Sequence, residues 1–362
     1  MATTNTDATD LASTPVGGVI HEDVMDRLFQ IDPVERPFID MIGSTSADNQ
    51  LKEFTERALR ARNVANHAVD GQAITAKAGD TGKRMGAYHQ IMFDNVAVSE
   101  RGQNVDPIGR ADELLFQVAQ IQKEVRRDEE AIKLYNQKSQ PGDGDEGNAA
   151  TTGPGLLPGA PTWIYTNRNG VGTGPTMSDD SNKAGYPNAA AIAGNKRGLE
   201  DSFVKDMLED IFVVGGNPTK ALSHPKMIRN YSNWHFTSSA KIATLTSEQT
   251  QGKDMGKGMT AYGSVNILAT DFGITLTLIP DRQYEMYDSL DGGADAADAC
   301  DLLLLDPDYW SNCTLQGYET KPLAKTGLSD HRVLSTDVSL LCFQEKSSGC
   351  IADLDPTVAV VA

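Results

Sequence analysis

One stretch limits what this 362-residue chain can fold into more than any other: residues 106–137, DPIGRADELLFQVAQIQKEVRRDEEAIKLYNQ. Asp106 can cap a first turn, and Pro107 suits the first helical position, where no amide hydrogen is needed. Apolar residues then recur at Ala111, Leu114, Leu115, Val118, Ile121, Val125, Ile132 and Tyr135, steps of three and four that keep to one stripe. The opposite face is densely charged, and Glu129 four residues before Lys133 is a favourable helical pair. About 30 residues at roughly 1.5 Å each predict a rod of roughly 45 Å, long for a globular domain. Alone, such a rod reads only as a spine; what precedes and follows it says more.

The chain before the rod reads as an arm and then an extended excursion. Residues 1–18 are small and polar. Residues 22–29 predict a short amphipathic helix. In IDPVERPFIDMIG (31–43), Asp32 and Glu35 form a capping-box pattern with Pro33 at the first helical position. Pro37 interrupts it within a turn, leaving Phe38, Met41 and Ile42 as an apolar patch that can pack at home or on a neighbouring copy. Residues 49–104 predict a long hairpin with arms at 51–59 and 88–98 and a Gly- and Ala-rich tip. Isolated hairpins are marginal in water, so this one wants support from another chain.

After the rod, residues 138–195 are dominated by loop-forming residues and predict one short strand near 163–165. Residues 200–214 predict an amphipathic helix stopped by Gly215-Gly216, and a second helix covers 226–234. SVNILAT and GITLTLIP predict strands separated by a turn at Asp271-Phe272-Gly273. Two long strands, 302–325 and 329–346, and a short last one at 347–354 complete a mixed α+β pattern with no internal repeat.

Composition excludes more than it proposes. The hydrophobic fraction of 39% can fill a sizeable core, but no run approaches the roughly 18 apolar residues of a membrane span. The N-terminal residues lack the basic and apolar regions of a secretion signal. Cys300, Cys313, Cys342 and Cys350 form no CxxC, and no histidine stands near them at zinc-ligand spacing, so packed reduced thiols are expected. A net charge of −18 argues against gripping nucleic acid through phosphates. That charge is uneven: residues 49–104 carry 6 acids and 8 bases, whereas 281–362 carry 15 acids and 5 bases. Different parts of neighbouring copies can therefore attract. Catalytic patterns fail individually. Asp271-Phe272-Gly273 lacks the other kinase signatures, GVGTG at 170–174 lacks the dinucleotide spacing, and the acidic run at 143 lacks the EF-hand glutamate. No catalytic residue, cofactor or metal ligand is expected; an enzyme with an unrecognised carboxylate site is the alternative from another class.

Five stretches in order carry a resemblance. They are IDPVERPFIDMIG (31–43), VSERGQNVDPIGRADELLFQ with KEVRRDEEAI (98–132), TDFGITLTLIPDRQ (270–283), LLLLDPDYWSNCTLQGYETKPLAKTG (302–327) and CFQEKSSGCIADL (342–354). Together they resemble a family of tailed-bacteriophage major capsid proteins with the Hong Kong 97 phage (HK97-like) capsid fold. The resemblance implies an N-terminal arm (1–48), an extended loop (49–104), a peripheral-domain spine helix (105–137) and an axial domain (138–300). Peripheral strands (301–346) and a C-terminal return to the axial domain (347–362) follow. It implies a virion shell of pentamers and hexamers, assembled in the host cytoplasm around DNA held without sequence specificity. A portal protein, separate scaffolding and decoration proteins are the expected partners, and no membrane is. A nanocompartment shell is the alternative within the fold.

The same resemblance points to Phe38, Met41, Lys77, Lys83, Arg84, Arg126 and Arg127 as inter-subunit contacts. It also predicts that Leu115, Val118 and Val125 pack on the C-terminal strands while the charged face looks outward. Some relatives link a loop lysine to an asparagine of a neighbour. Lys77, Lys83 and Asn312 occupy comparable regions here, but the sequence marks no reactive trio with a buried acid among them.

Overall fold

The protein is described from a computed structural model over residues 25–73, 79, 81–105, 109–110, 112–142, 153–178, 185–235, 267–290, 297–325 and 327–361. The long helix is Glu113–Leu134, 22 residues and thus about 33 Å. It begins later than the sequence predicts. Asp112 is its cap, accepting from the Leu115 amide at 3.0 Å, and Gln103 braces the start through Asp112 and the Leu114 amide. Gly109, at φ +78°, adopts a left-handed conformation that no α-helix continues through. Asp106 and Pro107 lie outside the described residues.

The helix lies on a four-stranded sheet built from distant parts of the chain. Its strands are β1 (Gly43–Ser46), β4 (Gln90–Ser99), β12 (Trp310–Pro322) and β13 (Ser329–Cys342), in the order β1-β12-β13-β4. Along β4 the burial alternates with period two. Met92 and Val96 face inward to meet Ile121 and Val125 of the helix and Leu334 and Val338 of β13. Val125 is enclosed as expected, but Leu115 stays 67% exposed.

Strand pairing corrects the predicted hairpin. β2 (Leu51–Glu56) pairs antiparallel with β3 (Lys83–Tyr88), Leu51 opposite Tyr88 and Glu56 opposite Lys83. β4, predicted as the return arm, instead pairs along its whole length with β13. The extra residue at His89 lets the chain change sheets: its amide bonds the Gln50 carbonyl while the next residue enters the other ladder. Likewise the predicted long strand 302–325 is two strands. Asp306-Pro307 breaks the ladder in a single 3₁₀ turn, so β11 (Cys300–Leu305) belongs to a different sheet from β12.

That second sheet has six strands, ordered β5-β14-β11-β8-β10-β9, where β5 is Arg168–Asn169, β8 Lys220–Ser223, β9 Ile267–Ala269, β10 Thr275–Pro280 and β14 Gly349–Leu354. β11 and β14 are buried along their whole length, which explains their near-continuous apolar runs. Helix Asp201–Val214 packs on this sheet and stops at Gly215 in the left-handed conformation, φ +104°. Helix Pro225–His235 follows β8. Asp271-Phe272-Gly273 is a turn between β9 and β10, as read.

Three local readings change. The described part of 22–29 is not helical. The arm's helix is Pro37–Met41, with Pro37 at its first position rather than interrupting one. A helix begun at Pro33 would have set the Pro37 ring against the carbonyl four residues back. Near 163–165 the chain forms the short helix Ala160–Trp163, whose Trp163 indole donates to the Leu340 carbonyl at 3.0 Å. All four cysteines are buried and reduced.

Candidate functional site

The last turn of the long helix is where charge is buried rather than displayed. Glu129, Glu130 and Lys133 are 1%, 0% and 0% exposed, in contrast to the outward charged face expected there. Lys133 Nζ donates to Glu129 Oε1 and to Asn312 Oδ1, the latter at 2.7 Å. Asn312 on β12 returns its amide to the same Glu129 Oε1 at 3.1 Å. The other oxygen, Oε2, accepts from the Tyr318 hydroxyl and lies 3.8 Å from the Arg36 guanidinium. Burial pulls the Lys133 ammonium below its usual range. Burial pushes Glu129 upward, but the Lys133, Tyr318 and Arg36 donors outweigh it and hold the carboxyl low. Such a buried pair gives little net stability as a whole, yet removing one partner costs about 3–5 kcal/mol because the other charge is stranded.

Glu130 ties the arm down. Its two oxygens accept from the Phe38 and Ile39 amides at 2.6 and 3.0 Å, the first turn of the arm's helix. Burial, then the neighbouring Asp281 carboxyl, raises Glu130 to about 8, and burial raises Asp281 as well. Two enclosed carboxyls cannot both ionise cheaply. A proton held between them also supplies Asp281 Oδ2, a buried oxygen that otherwise has no partner. Gln283 donates to the Pro33 carbonyl at 3.0 Å, completing the stitch between arm and β10 loop. Phe38 itself is fully enclosed, edge-on to Trp310 with ring centroids 5.9 Å apart.

The residues predicted as contacts therefore scatter. Phe38 packs inside its own chain, and Met41, partly buried, lies against the same core. Lys77 lies outside the described residues. Lys83 and Arg84 are exposed on β3, where Arg84 pairs with Glu53 across the hairpin. Arg126 is half-buried, its guanidinium 5.2 Å from the Tyr318 ring centroid of its own chain. Arg127 lies 3.9 Å from Asp128. Asn312 is turned into its own chain.

A second polar hub, missed from sequence, sits on β14. Asp353 is the one non-glycine among the described residues at positive φ, +60°. Its carboxylate accepts from the Val171, Gly172 and Gly194 amides at 2.8, 3.0 and 2.9 Å, anchoring the glycine-rich loop. Tyr287 bonds both Asp301 and the Asp353 amide. The only hint in sequence was an acid inside an apolar run, CIADL.

The outer surface carries apolar groups that no part of the described chain covers. Ile91 and Phe93 on the outward face of β4 are 69% and 68% exposed. Leu59, Val64 and Val69 stand on the segment beyond β2, and Met25, Phe29 and Ile31 on the arm. Among the described residues no group of three or more His, Cys, Asp or Glu is placed to hold a metal ion, and no helix is long and apolar enough to cross a membrane.

Comparison with known proteins gives this architecture a family. The chain is similar over 98% of its length to 99% of a chain from Microbacterium phage Oxtober96, at 10% identity and a TM-score of 0.54. It is similar over 93% of its length to 96% of the capsid chain of a native GTA particle, at 11% identity and a TM-score of 0.52. Over 97% of its length it is similar to 99% of a chain from Mycobacterium phage Bobi, at 10% identity and a TM-score of 0.51. These likenesses identify the HK97-like capsid fold. No curated protein sequence matches the chain. The sequence model of the SU10 major capsid protein family matches residues 2–355. The helix laid on a sheet of distant strands, the stitched arm and the apolar outer surface are thus those of a shell subunit: the chain belongs to the SU10 major capsid protein family and forms a phage capsid.

Proposed function

We propose that copies of this chain close through pentamers and hexamers into an icosahedral head around double-stranded DNA, without catalytic turnover. The observation that carries this reading is the uncovered apolar surface: Ile91 and Phe93 on β4 and Leu59, Val64 and Val69 beyond β2 are all more than two-thirds exposed. In a lone subunit they stand in water, and burial against neighbours returns on the order of 25 cal/mol per Å² of apolar area. Residues 1–48 serve as the arm, 49–88 as the extended loop reaching a neighbour before β4 returns the chain to the helix-bearing sheet, and 138–300 as the axial unit around which subunits meet. β12 and β13 with the long helix form the peripheral unit, while β11 and residues 347–362 belong to the axial unit. Exposed Lys83 and Arg84 are contacts of the extended loop with the acidic C-terminal part of an adjoining copy. A portal protein is the expected partner at one vertex, with separate scaffolding and decoration proteins as further candidates. The strongly acidic chain suits an inner wall that does not grip DNA. The match to a phage capsid family favours a virion over a nanocompartment shell.

Electron microscopy and sizing of the purified protein test the proposal, with rings or closed shells expected. A stable monomer under assembly conditions would count against it. The paired variant Ile91→Ser, Phe93→Ser should retain the wild-type circular dichroism spectrum, because both side chains face solvent in the subunit, and should reduce shell yield at least tenfold.

A further inference from the structure

The Lys133–Asn312–Glu129 cluster has the geometry of a bond-forming site rather than of an ion pair alone. Lys133 Nζ lies 2.7 Å from Asn312 Oδ1. With a carbonyl bond of about 1.23 Å, Nζ is therefore at most about 3.9 Å from the carboxamide carbon, close to near-attack range. Both the lysine and Glu129 are shut away from water. One carboxylate oxygen, Glu129 Oε1, touches the lysine nitrogen and the asparagine amide nitrogen at once. Tyr318 and Arg36 occupy the other oxygen and hold the carboxylate in place.

We propose that Lys133 and Asn312 form an intramolecular isopeptide bond with Glu129 as proton relay. Oε1 takes a proton from Nζ, leaving the neutral amine that burial favours for Lys133. The Nζ lone pair attacks Cγ of Asn312. The Nζ–Cγ bond forms, the Cγ–Nδ2 bond breaks, and the second Nζ proton passes through Oε1 to Nδ2, which leaves as ammonia. Nothing is oxidised or reduced, and no cofactor is consumed. The product is an amide between helix and strand, within one subunit and 179 residues apart in sequence. It fastens the long helix to β12 and removes conformational freedom from the unfolded chain. The inference does not depend on how subunits are arranged.

Intact mass of the purified protein, measured under denaturing conditions, is the test. A deficit of one ammonia is expected, together with a single linked peptide pair containing Lys133 and Asn312 and monomer mobility on a denaturing gel. Full mass with the two peptides separate in folded protein overturns the proposal, as does a ladder of multimers joined through Asn312. A deficit confined to a succinimide at another asparagine overturns it too. Lys133→Arg and Glu129→Gln should both return to full mass; a folded Glu129→Gln protein that still carries the link removes Glu129 from the relay. Because the wild-type mass is decisive, the test survives a variant that fails to fold.

Discussion

At the scale of single residues, two buried carboxylates hold segments that the hydrophobic pattern could not place. Asp353 gathers three amides of the glycine-rich loop. Asp353→Ala strands those donors and leaves an alanine at positive φ, so a loss on the order of 3 kcal/mol is expected, read as a lower denaturant midpoint. Glu130 behaves differently because its proton matters. Its ordinary value near 4.5 is raised to about 8 in the folded protein. The folded state thus binds the proton more tightly than the unfolded chain does. The resulting stability is fully present below about pH 4.5 and is lost as pH rises through about 8. Melting temperature of the wild type should fall between pH 7 and pH 9, with the arm loosening first. Glu130→Gln, neutral throughout, should flatten that fall; a wild-type profile already flat over this range would disprove the shared proton.

At the scale of elements, the long helix is both a packing surface and a polar anchor. Its upper part uses Ile121 and Val125 on the sheet; its last turn uses Glu129, Glu130 and Lys133 on β12, the arm and the β10 loop. The adjacent arginines should therefore separate in experiment, although neighbouring positions suggest one role. Arg126 covers the Tyr318 ring, so Arg126→Glu loses a cation–π contact of about 1–2 kcal/mol and sets an acid beside the Glu129 pocket. A lower melting temperature is expected. Arg127→Glu breaks a long contact to Asp128 and should leave melting within about 1 °C, consistent with the small worth of exposed pairs. Equal losses from both variants would contradict the assigned contact of Arg126 with Tyr318.

At the scale of the whole molecule, charge separation and apolar surface act on different steps of assembly. The exposed apolar groups give contacts that salt strengthens. Attraction between the basic 49–104 segment and the acidic 281–362 segment is screened by it, with a Debye length of about 8 Å at physiological ionic strength. Assembly followed by light scattering should therefore slow and weaken as sodium chloride rises from about 0.05 to 0.5 M. Salt-independent assembly would remove the charge contribution and leave the apolar surface as the driving term.

The amino-acid sequence by itself determined the periodic elements. Helix Asp201–Val214 with its Gly215 stop, helix Pro225–His235, the turn at Asp271-Phe272-Gly273 and the existence of the long helix follow from local periodicity and turn chemistry. The shell-forming role was legible too, through motifs spread along the chain. Which strands pair was not, because a run such as 88–98 carries the same alternation whether it returns on β2 or crosses to β13. Nor could local pattern show that Glu129, Glu130 and Lys133 face inward, since a charged residue is buried only when distant partners arrive. Those partners, Arg36, Asp281 and the β12 pair Asn312 and Tyr318, come from three separate parts of the chain. Tertiary structure alone brings them to the end of the helix, and only there do desolvation and hydrogen bonding give those charges a purpose.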